Sequence, residues 1–199
     1  MKKIIFIAPH LSTGGLPQYL VKKIEILKND LEVFCIEYEN ITGGVLVVQR
    51  NKIEQLLDNQ HFITLGEDKK GDLINLINKI NPDYIHLEEI PEYFLPSDIS
   101  DLIYTQNRKY KIFETSHDSS FDPDNKKVYF PDAFFFVSNW QMEQYENINV
   151  PKHLAEYPIE YKERPSREEG LLKLGLDPKK KHVLNVGLFT PRKNQAVIF

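Results

Sequence analysis

Residues Lys3 to Leu27 read KIIFIAPHLSTGGLPQYLVKKIEIL, and the physical pattern of this stretch decides how the rest of the chain is read. Ile4, Ile5, Phe6 and Ile7 run on without polar alternation, which suits a strand covered on both faces, as in a parallel sheet. The run stops at Pro9. Leu16, Leu20, Ile24 and Leu27 then recur at steps of four, four and three, so they share one side of a helix. Pro17 fits the first turn of that helix, where a missing amide hydrogen costs nothing. Between strand and helix lie Ser12, Thr13, Gly14 and Gly15. Adjacent glycines let a ligand approach the backbone where helix amides are unpaired and the helix dipole is positive. In doubly wound folds ligands bind here, outside the carboxyl ends of the strands. The dinucleotide fingerprint is not met, because Gln18 stands where its third glycine belongs.

The same alternation continues. Leu31 to Tyr38 reads as a strand, Val45 to Gln49 as a short one entered through Gly43-Gly44, and Asn51 to Asp58 as a short helix. Phe62 to Leu65 is a further strand. Leu73, Leu76, Ile77 and Ile80 mark a helix stopped by Asn81-Pro82, since the residue before proline resists helical geometry. Strands follow at Tyr84 to Leu87, Lys111 to Thr115, Ala133 to Val137 and Lys152 to Tyr157, with helices at Ser97 to Gln106 and Asn139 to Glu146, the latter capped by Ser138 or Asn139. Strands separated by helices predict an α/β, doubly wound, Rossmann-like parallel sheet.

At Pro158 the texture changes to PIEYKERPSREE, a charged, proline-bearing boundary. Glu168 to Leu174 reads as a short helix ended at Gly175. His182 to Val186 reads as a fresh strand, followed by a loop and a helix starting near Arg192. The expected organisation is residues 1–157 as one domain, 158–181 as a linker, and 182–199 as the start of a second, truncated doubly wound domain.

Composition narrows the class. Hydrophobic residues at 41% and charged residues at 27% describe an ordinary globular protein. A net charge of −4 argues against nucleic acid as a partner, which would call for a basic excess. Lys22-Lys23 and Lys179-Lys180-Lys181 are read as solvated faces. The single cysteine, Cys35, lies in an apolar run and reads as a buried, inert thiol. Met1-Lys2-Lys3 imitates a signal peptide, yet its apolar part is too short and meets Pro9-His10 instead of a cleavage site. No apolar run approaches the roughly 20 residues that span a bilayer. A cytoplasmic location is expected, with peripheral membrane contact left open. His10, His61 and His153 are too scattered for a zinc site, and Asp122-Pro123-Asp124 lacks the further hard ligands a divalent cation needs. No metal or cofactor is expected.

Four segments, taken in order, resemble the retaining glycosyltransferases of family 4, which have the GT-B fold: TGGLPQY at 13–19, ETSHDSSF at 114–121, FFFVSNWQMEQY at 134–145 and NVGLFTPRKNQ at 185–195. The resemblance implies the amino-terminal, acceptor-side GT-B domain plus the opening of the sugar-nucleotide domain. It implies transfer of a sugar from a nucleotide-sugar donor to a saccharide, lipid or protein acceptor, with these 199 residues inactive alone. Lys193 matches the lysine that holds the departing diphosphate, a task suited to a fixed cation. The family's arginine after the glycine is replaced by Leu188. Arg192 either takes its place or marks an exposed helix start. His117 matches the histidine beside the transferred sugar and acceptor, where it orients a hydroxyl or shares a proton. Asp118 either fixes the tautomer of His117 or caps its loop. His86 and Glu88 end the preceding strand and either line the acceptor side or serve the core or surface. Gly14 and Gly15 complete the expected site. Two other readings remain open: a GT-B-related sugar-nucleotide epimerase or phosphorylase, and a Rossmann-like binding module without catalysis.

Overall fold

The computed structural model describes residues 1–12, 14–40, 48–159 and 161–185. The chain divides into two compact units, Met1–Pro158 and Ile159–Phe199.

The first unit is an α/β, Rossmann-like, doubly wound fold built on a parallel sheet of seven strands. Strand β1 (Lys2–Ala8) runs along its centre, between β2 (Leu31–Glu37) and β4 (Tyr84–Leu87). Its apolar run is explained by burial on both sides. Ile5 and Ile7 enter one core with Phe34, Ile36 and Ile85, while Ile4 and Phe6 enter the other with Val33 and Cys35. Each such side chain contributes about 1.5–3 kcal/mol when fully buried, so any polar alternation in β1 would weaken one core or the other. The remaining strands are β3 (Phe62–Thr64) outside β2, then β5 (Lys111–Ser116), β6 (Ala133–Phe136) and β7 (Lys152–Leu154) outside β4. The chain therefore builds outward on one side of β1 and then outward on the other. The switch point lies between β1 and β4.

Helix α1 (Gly15–Leu27) covers the Phe6 side of the sheet with buried Leu20 and Ile24, joined by Ile53 of α2 (Val48–Leu56). Helix α3 (Lys69–Ile80) and α5 (Ser97–Ile103) cover the Ile5 side through Leu73, Ile77, Ile99 and Ile103. Asp68 caps α3 by accepting from the Gly71 amide, and Asn81 ends it in the left-handed region at φ 50°, immediately before Pro82. Two one-turn helices, α4 (Pro91–Phe94) and α6 (Pro123–Lys126), and the short α7 (Asn139–Glu143) complete the unit. Ser138 is the α7 cap, accepting from the Gln141 amide, and Asp122 caps α6 by accepting from Asn125.

Several expectations need correction. The strand expected at Val45 to Gln49 does not extend through its end, because Val48 and Gln49 open α2; residues 45–47 lie outside the described residues. Val48 is 49% exposed, so its β-branched side chain here serves a helix surface rather than a sheet. The pair Lys22-Lys23 is not one solvated face. Lys22 meets Glu25 at 2.7 Å near the surface, whereas one residue on the helix turns through about 100° and carries Lys23 inward to a buried carboxylate.

In the second unit α8 (Arg167–Lys173) is opened by a capping box between Ser166 and Glu169. The Arg167 guanidinium donates to the carbonyls of Pro178 and Lys180. The strand expected from His182 is not formed over 182–185, where no described strand pairs with it and Val183 and Leu184 are 88% and 86% exposed. Among the described residues no helix is long and apolar enough to cross a membrane.

Candidate functional site

The switch point lies at the carboxyl ends of β1 and β4, the usual ligand position of doubly wound sheets. Gly14 and Gly15 stand at its β1 side. Gly14 has φ 118° and ψ −175°, a conformation that essentially requires glycine, and it leads directly into α1. Gly14→Ala is therefore expected to destabilise the first unit by about 1–3 kcal/mol through backbone strain alone, since a Cβ there meets nothing within 4 Å. A thermal unfolding midpoint unchanged from wild type would show the strain to be absent.

His117 follows β5 directly. Its imidazole is 6% exposed, with Nε2 3.4 Å from Glu88 Oε2 and Nδ1 2.8 Å from the Tyr157 hydroxyl. Tyr157 also connects the histidine to the glycine turn, because a Cβ at Gly15 would lie 3.1 Å from the same hydroxyl. Tyr19 of α1 packs edge-on against both rings, at 5.4 Å from His117 and 5.2 Å from Tyr157. Gly15, His117 and Tyr157 thus share one lip. Burial pushes the Tyr157 phenol up to about 12, so it stays protonated and can donate to the imidazole.

Beneath this lip lies a charged layer. Glu88, just past β4, is fully buried, and its Oε1 receives Lys23 Nζ at 2.5 Å. The ammonium also reaches Thr115 Oγ1 at 3.2 Å and His86 Nε2 at 3.4 Å. Burial alone would push the Glu88 carboxyl up, but Lys23 and the imidazoles of His86 and His117 hold it well below the usual carboxylate range. His86 sits on β4, 5% exposed and 2.7 Å from Thr115 Oγ1. Burial, reinforced by Lys23, pushes its imidazole down to about 3, so it is neutral near pH 7. It supports Lys23 from the interior and does not reach the lip.

The backbone of the His117 loop is held by Glu89, whose carboxylate accepts from the amides of Ile90 (2.9 Å), Asp118 (3.1 Å) and His117 (3.3 Å). The Asp118 carboxylate accepts from the amide and hydroxyl of Ser120, and its carbonyl accepts from Gln141 Nε2. Asp118 shapes the loop. Lys193 and Arg192 lie outside the described residues. Lys23, Glu89 and Tyr157 were not anticipated as site residues. For Lys23 the available signal was its position four residues after Tyr19, on the same helical face.

At the end of β2, where dinucleotide-binding folds place a ribose-binding acid, Glu37 is engaged internally. Its carboxylate takes the Leu11 amide at 2.7 Å and the Arg50 guanidinium at 2.6 and 2.7 Å. Among the described residues no cluster of His, Cys, Asp or Glu could hold a metal ion. Cavities of about 540 Å3, bordered by Glu32, His61 and Lys79, and about 310 Å3, bordered by Leu65 and Leu76, open away from the lip. The larger one carries its own titrating groups, with His61 between Asp58 and Glu32, but neither is bordered by Gly15, His117 or Tyr157. The chain matches no model of a known protein family and no curated protein.

The buried acids give the fold a defined pH response. Burial pushes Glu89 and Glu114 up to about 7 each, Glu114 against the opposing pull of Lys127. Their folded forms hold protons that the unfolded chain releases near pH 4.3, so their contribution to stability is present below that pH and is lost as pH rises to about 7. His86 runs the other way, adding stability as pH rises from about 3 to its ordinary value near 6.5. The two acids outnumber the one histidine, so the first unit is expected to lose stability as pH rises from 5 to 7. Urea unfolding at the two pH values measures this, and equal or greater stability at pH 7 would contradict the assignment.

Proposed function

We propose that this chain is the acceptor-side domain of a nucleotide-sugar glycosyltransferase that acts with retention. A Rossmann-like fold hosts many activities, so the reading rests on the site. The observation that carries it is the shared lip of Gly15, Tyr157 and His117 at the switch point, with the imidazole already holding one hydroxyl at Nδ1. An acceptor hydroxyl brought to this lip finds a hydrogen-bond acceptor that orients it and can share its proton. The α1 start beside it offers unpaired amides and a positive dipole end to an anionic group. The motif TGGLPQY at 13–19 and the segment ETSHDSSF at 114–121, which suggested the family, both contribute residues to this lip. In this reading Lys193 supplies the fixed charge for the departing diphosphate, aided by Arg192. The acceptor is a saccharide, lipid or protein, and attack on the same face as the leaving phosphate accounts for retention.

The test is to incubate the complete protein that carries this chain with UDP-glucose, UDP-N-acetylglucosamine and GDP-mannose and to measure release of nucleoside diphosphate. Release from at least one donor, raised by an acceptor and giving a retained anomeric product, is expected. Free epimerised sugar nucleotide, or cleavage that needs phosphate and no acceptor, would move the assignment to an epimerase or phosphorylase. No turnover of any donor would leave a Rossmann-like binding module.

A further inference from the structure

We propose that Lys23 and Glu88 form a positioning pair that fixes the His117 imidazole with Nε2 toward the protein and Nδ1 toward the lip. The idea rests on the proposed role of His117, and its test does not require turnover. The Glu88 carboxylate is divided between two partners, Oε1 to Lys23 at 2.5 Å and Oε2 to His117 Nε2 at 3.4 Å. A carboxylate placed behind one ring nitrogen selects the tautomer that donates to it and leaves the other nitrogen as acceptor. The Tyr157 hydroxyl, 2.8 Å from Nδ1, occupies the place that this tautomer offers to a ligand hydroxyl.

Lys23 completes the device. Its three donors have three acceptors in Glu88, Thr115 and His86, and its Nζ lies 4.6 Å from the Tyr19 ring centroid. The ammonium is therefore fixed, and it fixes the carboxylate. A buried ion pair is no more stabilising than a well-packed apolar pair of similar volume, so stability alone does not account for these two charges. Their placement behind the imidazole does. The charged and titrating groups around His117 are Glu88 and Glu89 after β4, Lys23 and Tyr19 of α1, His86 of β4, Asp118 on its own loop, and Tyr157 after β7.

The test is the tautomer of the His117 ring at pH 8, read from the 15N shifts of its two ring nitrogens in the 199-residue chain and assigned with His117→Gln. The wild type is expected to hold the proton on Nε2, facing Glu88, with Nδ1 bare. Glu88→Leu removes the acceptor behind Nε2, and Lys23→Met removes the group that fixes that acceptor; each is expected to mix the two tautomers. A ring that keeps the wild-type tautomer in both single variants would reduce the pair to an ordinary core ion pair and overturn the proposal. If a single variant does not fold, Lys23→Met/Glu88→Leu, which leaves no charge from either residue buried, decides. Loss of the His117–Tyr157 ring contact in its NOE spectrum is expected, and an undiminished contact overturns the proposal. The donor-turnover assay is read separately, so an inactive protein with the expected shifts would remove the glycosyltransferase reading and leave the positioning pair.

Discussion

Lys127→Met is expected to destabilise the first unit by about 3–5 kcal/mol at pH 8, one of the two largest effects expected from a single substitution. The Lys127 side chain is fully buried between two carboxylates, 2.8 Å from Glu92 and 2.9 Å from Glu114, and the Glu114 side chain has no exposure either. Glu92 retains other donors, the amides of Val128 and Tyr129 at 2.8 and 3.0 Å. Glu114 retains only the Tyr104 hydroxyl at 2.5 Å among its described side-chain partners. Without the ammonium, Glu114 must bury an uncompensated charge or take a proton. The loss should therefore shrink at pH 5, where that carboxyl is already protonated in the fold. Lys127→Met/Glu114→Leu should recover most of it, because removing both charges avoids the penalty that removing one creates. Urea unfolding of the three proteins at both pH values measures the cycle. A Lys127→Met protein as stable as wild type at pH 8 would mean that the ammonium is not needed to balance Glu114.

If the proposed glycosyltransferase reading holds, His117→Ala in the complete protein is expected to lower transfer roughly 100- to 10,000-fold, the range for a positioned acid–base group. The loss should fall on kcat more than on KM, since the hydrogen bond to the acceptor hydroxyl strengthens as its proton is drawn away. His117→Gln retains bulk and one polar contact and should keep the fold, which separates chemistry from packing against Tyr19 and Tyr157. Lys193→Ala should cost roughly 100- to 1,000-fold, the scale for one group stabilising developing negative charge. Transfer unchanged by both substitutions would leave the lip without a catalytic role.

The sheet was legible because β1 writes its environment into its sequence: four apolar residues in succession have no meaning on a half-exposed strand and a plain one when both faces are covered. The end of β5 was legible less directly, since Ile112 and Phe113 give way to the polar run Glu114 to Asp118, whose first three residues are themselves buried. Lys23 was not. A lysine next to another lysine on an amphipathic helix reads as surface; its place four residues after Tyr19 is a local hint, and the distant carboxylate of Glu88 shows that it faces inward. Tyr157 was hidden in another way. It reads as the end of a strand that in fact stops at Leu154, and the loop after β7 carries its ring back to Tyr19 and Gly15, at the other end of the first unit's sequence. Glu89 and Glu114 likewise acquire their roles from contacts far apart in sequence.

The central claim, that the carboxyl edge between β1 and β4 receives the ligand, is most directly tested by following backbone amide resonances of the 199-residue chain as UDP-glucose, GDP-mannose and glucose are added separately at millimolar concentration. The account predicts that at least one of these probes shifts Gly14, Gly15 and His117 together, with Tyr157 moving as its hydroxyl yields Nδ1. Shifts confined to Leu65, Leu76 and their neighbours beside the β3–α3 cavities, or no shift at the lip with any probe, would contradict it.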